Sequence, residues 1–194
     1  ININDSDGLV NHIFVRCITM TEVELFQKLR PVIQLVTGLP NGKVVMADQS
    51  ITAPAGEYCT IRPSQTIAER GQANVYAKNA PGDLVQTDVR AQIVGSCSVN
   101  FYRGNALAYA RKLHQCNKRP DVSMMLFKSG IGWGGTDAVN NLTALQAANW
   151  EPRAQVTVRV LYETTDVSTI NAILTTSIVV ENEAGDVLET IPTA

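Results

Sequence analysis

The amino-acid sequence predicts an α+β fold: a mostly antiparallel β-sheet with two to three helices packed on one face, followed by a C-terminal β-hairpin. Residues 89–101 and 150–162 alternate apolar and polar side chains with the period of two that is typical of half-buried strands. Other segments carry apolar residues at helical spacing. Helices and strands are grouped separately along the chain, which favours an antiparallel sheet covered by helices on one face.

A first helix is predicted to begin at Thr21. Thr21 and Glu24 form a capping-box pattern, in which each side chain accepts a hydrogen bond from a backbone N–H group of the first turn. Pro31 is expected to kink this helix because it removes one backbone hydrogen bond. Gly38 and Pro40 are expected to end it. The apolar residues at helical spacing are Phe26, Leu29, Val32, Ile33 and Val36.

Strand candidates follow this helix. Residues 43–47 and 57–63 are short strand candidates, and residues 80–83 mark a loop. The stretch 64–87 is otherwise ambiguous. The strand at 89–101 has an apolar face made of Val89, Ala91, Ile93, Gly95, Cys97, Val99 and Phe101. Its polar face is made of Arg90, Gln92, Ser96, Ser98 and Asn100.

Two further helices are predicted after this strand. The second opens at Gly104 and Asn105, and the third begins at Pro120, whose missing N–H costs nothing at the first helical position. Gly130 is expected to end the third helix. The residues predicted to face inward are Ala106, Tyr109, Ala110, Leu113 and Cys116 in the second helix, and Val122, Met125 and Leu126 in the third.

The last third of the chain is predicted to be a polar connection followed by strands. The connection covers residues 131–149, and the alternating strand 150–162 follows it. Residues 166–174 fit a helix or a strand, and strand is favoured. Residues 176–182 and 186–191 are predicted to pair as a hairpin. The residues expected to share one core between the sheet and the second helix are Val99, Phe101, Leu113, Val156 and Val158.

Length and composition set the domain organisation and exclude some functions. The 194 residues predict a single domain over 1–194, with an N-terminal arm at 1–18 and a C-terminal hairpin at 176–191. The chain carries 16 basic and 18 acidic residues, a net charge of −2, without a block of like charge. This distribution argues against a nucleic-acid-binding stripe and against a polybasic membrane anchor. No apolar run reaches the length of a membrane span, so we expect neither membrane association nor export.

The cysteines and histidines form no pattern typical of a metal site or a disulfide framework. No C-x-x-C motif is present, and His114 and Cys116 are two positions apart on a helix, so their side chains point away from each other. Cys97 and Cys116 fall on apolar faces and are interpreted as buried small hydrophobic residues. We expect no metal and no cofactor. The pairing state is left open for Cys17, Cys59, Cys97 and Cys116.

Sequence motifs for catalysis are also missing, so the chain is not expected to be an enzyme. A glycine cluster lies between a predicted helix and a strand, whereas phosphate-binding loops lead from a strand into a helix. The cluster consists of Gly130, Gly132, Gly134 and Gly135. We interpret these glycines as positions where the backbone has a positive φ or where another chain segment approaches closely. Ser96 and Ser98 lie on a strand with no His–Asp pair placed to serve them. The acidic pairs interpreted as solvated carboxylates are Asp83 with Asp88 and Glu181 with Glu183.

Candidate interface residues lie in the 131–149 connection and on polar strand faces. Trp150 is assigned to the core and Trp133 to an interface anchor, and a connection as long as 131–149 is usually functional. Two interpretations stay open for the arginines of the strands and loops. They lie on solvated faces, or some of them form ion pairs with a neighbouring subunit. The arginines concerned are Arg62, Arg70, Arg90, Arg103, Arg153 and Arg159. The predicted interface residues are Trp133, Asn140, Asn141, Glu151, Arg153 and Arg159.

Several motifs, taken in their order and spacing, resemble the phage neck and tail-terminator family over about residues 20–165. NLTALQ at 141–146 precedes WEPRAQV at 150–156, and the first predicted helix ends in a T-G-L-P motif. The other matching segments are YCTIRP at 58–63, SVNFYRGNALAYARKL at 98–113 and SGIGW at 129–133.

The resemblance implies a structural virion protein of a tailed bacteriophage. It would form a homo-oligomeric ring, usually a hexamer, in the neck, where it terminates the tail tube and joins it to the head connector. Implied partners are tail tube, connector or adaptor, and sheath proteins. DNA would pass through the lumen without specific binding, which suits an acidic chain, because a channel lined by Lys and Arg would retain phosphates. The implied location is the virion neck, after assembly in the host cytoplasm.

Two other functions stay open at this point. The chain could be another head–tail connector or tail-completion protein, or an enzyme of unknown type with a site in the Gly-rich connection. A two-stranded hairpin is marginal alone and an exposed edge is a template for another chain. We therefore expect the C-terminal hairpin to dock on an adjacent subunit or on a sheath or tube protein by strand addition.

Overall fold

The computed structural model describes residues 20–82, 84–146, 149–171, 176–181 and 187–193. Contacts divide these residues into two compact units. The larger unit contains residues 18–73 and 90–164, and the smaller one includes 74–89 and 165–194. The predicted N-terminal arm lies outside the described residues. The prediction of one domain over the whole chain stays a prediction.

Three α-helices form in the larger unit. They are α1 (Glu22–Thr37), α2 (Ala106–His114) and α3 (Pro120–Lys128), and short 3-10 turns cover Asn41–Lys43 and Cys116–Lys118. The predicted capping box is confirmed: Thr21 N donates to the Glu24 carboxylate at 2.9 Å, and Glu24 N donates to Thr21 Oγ1 at 3.2 Å. Gly38 closes α1 with a φ of 79°, and its N–H donates to Gln34 O at 2.8 Å. Pro31 lies inside α1; the kink expected there stays a prediction.

The described strands form a mostly antiparallel main sheet and two small two-stranded sheets. The main sheet has the order β1-β2-β4-β9-β5, with β3 paired to β4 and β6 paired to β9. Strands β1 and β2 run parallel, whereas the pairs β2–β4, β5–β9, β6–β9, β7–β8 and β10–β11 run antiparallel. The strands are β1 (Val44–Met46), β2 (Tyr58–Glu69), β3 (Asn74–Ala80), β4 (Leu84–Tyr102), β5 (Gly132–Thr136), β6 (Asn140–Asn141), β7 (Ala144–Gln146), β8 (Asn149–Glu151), β9 (Arg153–Asn171), β10 (Thr176–Glu181) and β11 (Val187–Thr193).

One hydrophobic core lies between the helices and the main sheet, and it confirms the α+β prediction. Helix α1 contacts α2, α3, β1 and β2. Every residue predicted for the shared core is buried, and these are Val99, Phe101, Leu113, Val156 and Val158. The inward residues of α2 and α3 are also buried or packed against the core, as their spacing predicted.

The polar face of β4 has one exception to the alternation. Ser96 is buried although it was assigned to the polar face, and its hydroxyl lies 2.9 Å from that of Ser64. The pair satisfies both hydroxyl groups, so burial of Ser96 leaves no unpaired polar atom there. The ambiguous stretch 64–87 also proves to be structured, because β2 continues to Glu69 and β3 follows.

Two predictions for the middle of the chain are wrong. The 131–149 connection is not structureless, since it contains β5, β6 and β7 and the start of β8. Trp150 does not begin the apolar face of the long strand; its side chain is 70% exposed. The reason is that Pro152 separates β8 from β9, and β8 pairs with β7 in a small sheet instead of joining the main one. Burial on β9 therefore begins at Ala154.

In the smaller unit, β10 and β11 form the predicted antiparallel hairpin. Thr176 pairs with Thr193 and Val180 with Glu189, with a register shift next to Glu181. The strand assigned at 166–174 is confirmed as far as Asn171, and residues 172–175 lie outside the described part. Thr87 and Ser168 meet in this unit with their hydroxyl oxygens 2.6 Å apart.

Candidate functional site

The main candidate site is a small exposed hairpin, called here the β7–β8 hairpin and made of residues 144–146 and 149–151. Leu145 and Trp150 are directly opposite each other in the register, and their side chains are 59% and 70% exposed. Leu142, just before the hairpin, is also exposed. Large apolar side chains grouped on a surface are typical of a contact with another protein.

The entry to this hairpin is held by side-chain hydrogen bonds. Asn141 Oδ1 accepts from Thr143 N at 3.1 Å and from Thr143 Oγ1 at 2.7 Å. Leu142 N donates to Arg153 O at 2.8 Å, which ties the segment to the start of β9. An asparagine side chain that bonds the backbone two residues on stabilises a turn. Asn141 thus has a structural role in directing the hairpin.

The base of the hairpin rests on two stacked tyrosine rings with an arginine side chain on each outer face, called here the Arg–Tyr stack. Tyr58 and Tyr102 stack with ring centroids 4.6 Å apart and planes 6° from parallel. Arg103 lies 5.5 Å from the centroid of Tyr58, and Arg153 lies 4.8 Å from that of Tyr102. Burial, together with the neighbouring Tyr102, raises the pKa of Tyr58 above its ordinary value. Cation–π contacts of this kind orient planar guanidinium groups.

Arg103 joins three parts of the chain at this base. Its Nε lies 3.5 Å from Glu151 Oε1, its backbone N–H donates to Pro152 O at 2.7 Å, and its Nη1 donates to Pro54 O at 3.0 Å. Its φ of 64° is in the left-handed region, which is unusual for a residue other than glycine. These contacts hold the backbone where β8 gives way to β9.

Glu57 holds the start of α2 next to this stack. Its carboxylate accepts from Tyr109 OH at 2.6 Å and from Asn105 N at 2.9 Å. These hydrogen bonds, the one from Tyr109 first, lower the pKa of Glu57, while the same bond raises the pKa of Tyr109. A carboxylate at the first turn of a helix also interacts favourably with the helix dipole.

The structure brings together four of the six predicted interface residues. Asn140 and Asn141 pair with Gln155 and Ala154 of β9, so they lie beside Arg153 and near the hairpin that carries Glu151. Arg159 is six residues further along β9, roughly 20 Å away at about 3.3 Å per residue. It pairs with Asp137 at 2.7 Å.

Trp133 lies in β5 and packs against the core instead of projecting from a loop. It pairs with Val160 of β9, and its indole Nε1 is buried without a hydrogen-bond partner among the described residues. It also borders an open hollow of about 390 Å³ next to Phe127. Its role as an interface anchor stays a prediction.

Most of the arginines for which two interpretations were open have partners within the chain. Arg62 pairs with Asp48 at 2.7 Å, and Arg90 lies 3.9 Å from Glu163. Both pairs are largely exposed, so each contributes little to stability. Together with the contacts of Arg103, Arg153 and Arg159, these pairs favour structural roles on solvated faces.

Sequence reasoning missed the aromatic part of the site. Tyr58 and Tyr102 are directly opposite each other in the β2–β4 register, which a sequence cannot give without the strand pairing. The only signal was that an aromatic residue ends each strand segment, in YCTIRP and in NFY. Trp150 was assigned to the core because it fitted the alternation of β9.

The chemistry of the described residues favours binding over catalysis. Burial raises the pKa of the Cys116 thiol to about 11 and that of Cys97 to about 12, and it raises the pKa of Cys59 still further, so these thiols stay protonated and weakly nucleophilic. All three are free, and the burial that the sequence pattern predicted for Cys97 and Cys116 is confirmed. No cluster of three or more metal-ligating side chains occurs in the described ranges.

The other residues considered for catalysis have structural surroundings. Ser98 Oγ accepts from Gln155 Nε2 at 2.7 Å, and His114 Nδ1 lies 2.7 Å from Thr136 Oγ1. In the glycine cluster, a Cβ added at Gly134 would lie 3.2 Å from Arg159 Cβ, and Gly135 has a φ of 106°. This confirms close approach and positive φ as the reasons for glycine. His12 lies outside the described residues. No helix in the part of the chain that is described could span a membrane.

The sequence matches the model of a known protein family. The model of a family described as phage neck terminator protein matches residues 23–184, which is most of the chain. This span includes α1, the Arg–Tyr stack, the β7–β8 hairpin and β10. No curated protein matches the sequence.

Proposed function

The chain belongs to the phage neck terminator family, and on this premise we propose that it forms a homohexameric ring that terminates the tail tube and joins it to the head connector. Membership makes it a structural component of the phage neck, associated with other head or tail proteins. The match over residues 23–184 is the observation that carries the proposal. The ring, its six-fold number and its place between tube and connector belong to the proposal.

The β7–β8 hairpin supports an assembly role. Its exposed Leu145 and Trp150 form an apolar pair, and polar Asn140, Asn141 and Arg153 lie around its base. An apolar centre with a polar rim is the usual composition of a protein–protein interface. Because the Arg–Tyr stack fixes the base, little conformational entropy is lost when the hairpin binds. We assign this hairpin to a contact between the ring and its neighbours in the neck.

Ring formation needs two different surfaces on each subunit. A heterologous contact joins one patch of a copy to another patch of the next copy, and it closes into a ring when the rotation returns to the start. DNA passes through the lumen of such a ring, and specific DNA binding is not part of the proposal. The neighbours are tube, connector or adaptor, and sheath proteins, and assembly takes place in the host cytoplasm before the chain becomes part of the virion.

The experiment is a substitution of Trp150 in the phage itself. Trp150→Ala removes the most exposed aromatic residue of the hairpin, while Ile67→Ala removes an apolar side chain of comparable exposure from β2. We expect the Trp150 variant to fold normally and to yield unjoined heads and tails in electron micrographs. The Ile67 variant should yield joined particles as wild type does.

Two outcomes contradict the proposal in different ways. If phage carrying Trp150→Ala still gave joined, infectious particles, the hairpin would not be a necessary contact in the neck. Wild-type particles in which the chain is absent from the neck would remove the proposed function altogether. A normal circular dichroism spectrum and melting temperature of the purified variant are the control for folding.

A further inference from the structure

The two arginines of the Arg–Tyr stack differ in how their charges are balanced. Arg103 lies 3.5 Å from the Glu151 carboxylate and also donates to Pro54 O at 3.0 Å. Arg153, on the outer face of Tyr102, pairs with no carboxylate within the described ranges. The one hydrogen bond found there for its side chain is long, 3.5 Å from Nη2 to the Tyr102 hydroxyl. The stack therefore orients the Arg153 guanidinium without neutralising its charge.

The environment of Arg153 favours a carboxylate as the missing partner. The side chain is half-buried, and a charge that has lost part of its water costs free energy unless it is paired. A guanidinium carries five N–H donors in a planar fork, which matches a carboxylate through two parallel hydrogen bonds. The ring of Tyr102, with its centroid 4.8 Å away, restricts the orientation of this fork. Less side-chain freedom is then lost when a partner binds.

Arg153 also lies at the base of the β7–β8 hairpin. Its carbonyl O accepts from Leu142 N at 2.8 Å, and its backbone N–H donates to Thr143 Oγ1 at 3.4 Å. Trp150 is three residues away along the chain, at most about 11 Å between Cα atoms. One partner surface can therefore contact both the exposed pair, Leu145 and Trp150, and the charge. Protein interfaces commonly combine an apolar centre with arginine.

The sequence around the hairpin offers few other charges to a partner. Residues 134–152 contain two acidic residues, Asp137 and Glu151, and no Lys or Arg. Both acidic residues are already paired with arginines of the chain. A surface with a single open cation fits one carboxylate better than the phosphates of DNA, because affinity for DNA depends on several Lys or Arg contacts.

We propose that Arg153 binds an Asp or Glu side chain of a neighbouring neck protein, while Trp150 and Leu145 enter an apolar pocket of the same protein. The inference rests on the proposed function, which assigns the β7–β8 hairpin to contacts outside the ring, and it names the chemistry of the partner. Arg153 determines specificity in this contact, because a partner without the carboxylate would leave a half-buried charge unpaired. The apolar pair supplies affinity.

Substitutions at position 153 in the phage test the charge and the planar fork separately. Arg153→Glu reverses the charge, Arg153→Gln removes it, and Arg153→Lys keeps the charge without the fork. Arg70→Glu is the matched control, since Arg70 is exposed and also forms no ion pair in the part of the chain that is described. The readout is the fraction of particles with joined heads and tails in electron micrographs. Circular dichroism spectra and melting temperatures of the purified chains control for folding.

We expect Arg153→Glu to lower the joined fraction at least about tenfold, because two like charges then meet in the contact. Arg153→Gln should lower it less, and Arg153→Lys should lie between Arg153→Gln and wild type. Arg70→Glu should match wild type. Normal joining by folded Arg153→Glu would overturn the proposal. If Arg153→Glu fails to fold, normal joining by Arg153→Gln would overturn it instead.

A charge-swap library identifies the partner and separates binding from a purely structural role of Arg153. In phage carrying Arg153→Glu, each Asp and Glu codon of this chain and of the other virion genes is changed singly to Lys, and infectious progeny are sequenced. We expect survivors to carry the change at one or a few acidic positions of one other virion protein. The same change should impair joining in phage that keeps Arg153. Lost packing on Tyr102 would not be repaired in this way.

Three outcomes of these experiments assign Arg153 differently and overturn the proposal. A library without survivors would remove the carboxylate partner. Survivors changed only in this chain would assign the contact to a second copy. Binding of a double-stranded DNA fragment by the purified chain, lost in Arg153→Glu and kept in Arg70→Glu, would assign Arg153 to DNA. The proposed function is judged separately, by whether wild-type particles contain a ring of this chain in the neck.

Discussion

Trp133 and Trp150 belong to the same Gly- and Asn-rich segment but lie in opposite environments. Trp133 is part of β5, which pairs with β9 in the main sheet, and its ring packs against the core. Trp150 is part of β8, which pairs with β7 outside the main sheet, and its ring is exposed. The environment of each tryptophan therefore depends on which sheet its strand joins, and the local alternation of side chains does not decide it.

Phe101 is a fully buried aromatic residue for comparison, and its replacement should cause the largest loss of stability. The side chain is completely buried between the sheet and α2. Phe101→Ala should lower the free energy of unfolding by about 3–5 kcal/mol, because a large cavity replaces packed atoms. Denaturant titration measures this loss. A loss below about 1 kcal/mol would contradict the core described around β4 and β9.

Trp133→Ala should have an intermediate effect on stability. The ring is only partly buried, so the expected loss is about 2–3 kcal/mol, below the range of about 3–5 kcal/mol for a fully buried aromatic side chain. Chemical denaturation of this variant beside Phe101→Ala tests the order of the two losses. If the Trp133 variant were as stable as wild type, its packing against the core would be wrong and its interpretation as a pure interface anchor would be favoured.

The buried core could be predicted from the sequence better than the exposed β7–β8 hairpin. Capping at Thr21, the helical faces and the alternation in β4 and β9 depend on local periods, and these follow directly from residue order. The β7–β8 hairpin depends on where a strand leaves the sheet, which Pro152 and the contacts of Arg103 determine. Those contacts join residues that are distant in sequence, such as Pro54 and Glu151, so no local pattern contains them.

The independence of the β7–β8 hairpin from the main sheet can be tested at Asn141, just before the hairpin. Asn141→Ala removes the two hydrogen bonds that Asn141 Oδ1 accepts from Thr143. We expect a loss of about 0.5–1.5 kcal/mol, since each exposed hydrogen bond contributes little. Hydrogen exchange should show faster exchange in 142–151 with unchanged protection of β9. Faster exchange throughout the main sheet would contradict the separate character of the hairpin.

A smaller, pH-dependent effect on stability is expected at Glu57, which lies next to the Arg–Tyr stack. Hydrogen bonds from Tyr109 and Asn105 lower the pKa of Glu57 in the folded chain, so its stabilising contribution is present above the ordinary carboxyl pKa and is lost as the pH falls through the folded value. Between about pH 6 and about pH 3, stability should fall less in Glu57→Gln than in wild type. Parallel pH profiles of the two proteins would refute this role of Glu57.

Trp150→Ala should have the smallest effect on folding. Its side chain has lost little contact with water, so the change in the free energy of unfolding should be within about 0.5 kcal/mol. Thermal melts of Trp133→Ala and Trp150→Ala side by side make the comparison direct. A large destabilisation by Trp150→Ala would place its ring in the packed part of the molecule.

The most direct measurement is a cryo-electron microscopy map of the neck of the intact particle. We expect a six-membered ring of this chain between the end of the tail tube and the head connector, with the β7–β8 hairpins at contacts with neighbouring proteins. A map in which the chain forms no ring, or lies elsewhere in the virion, would contradict the proposed role in the neck.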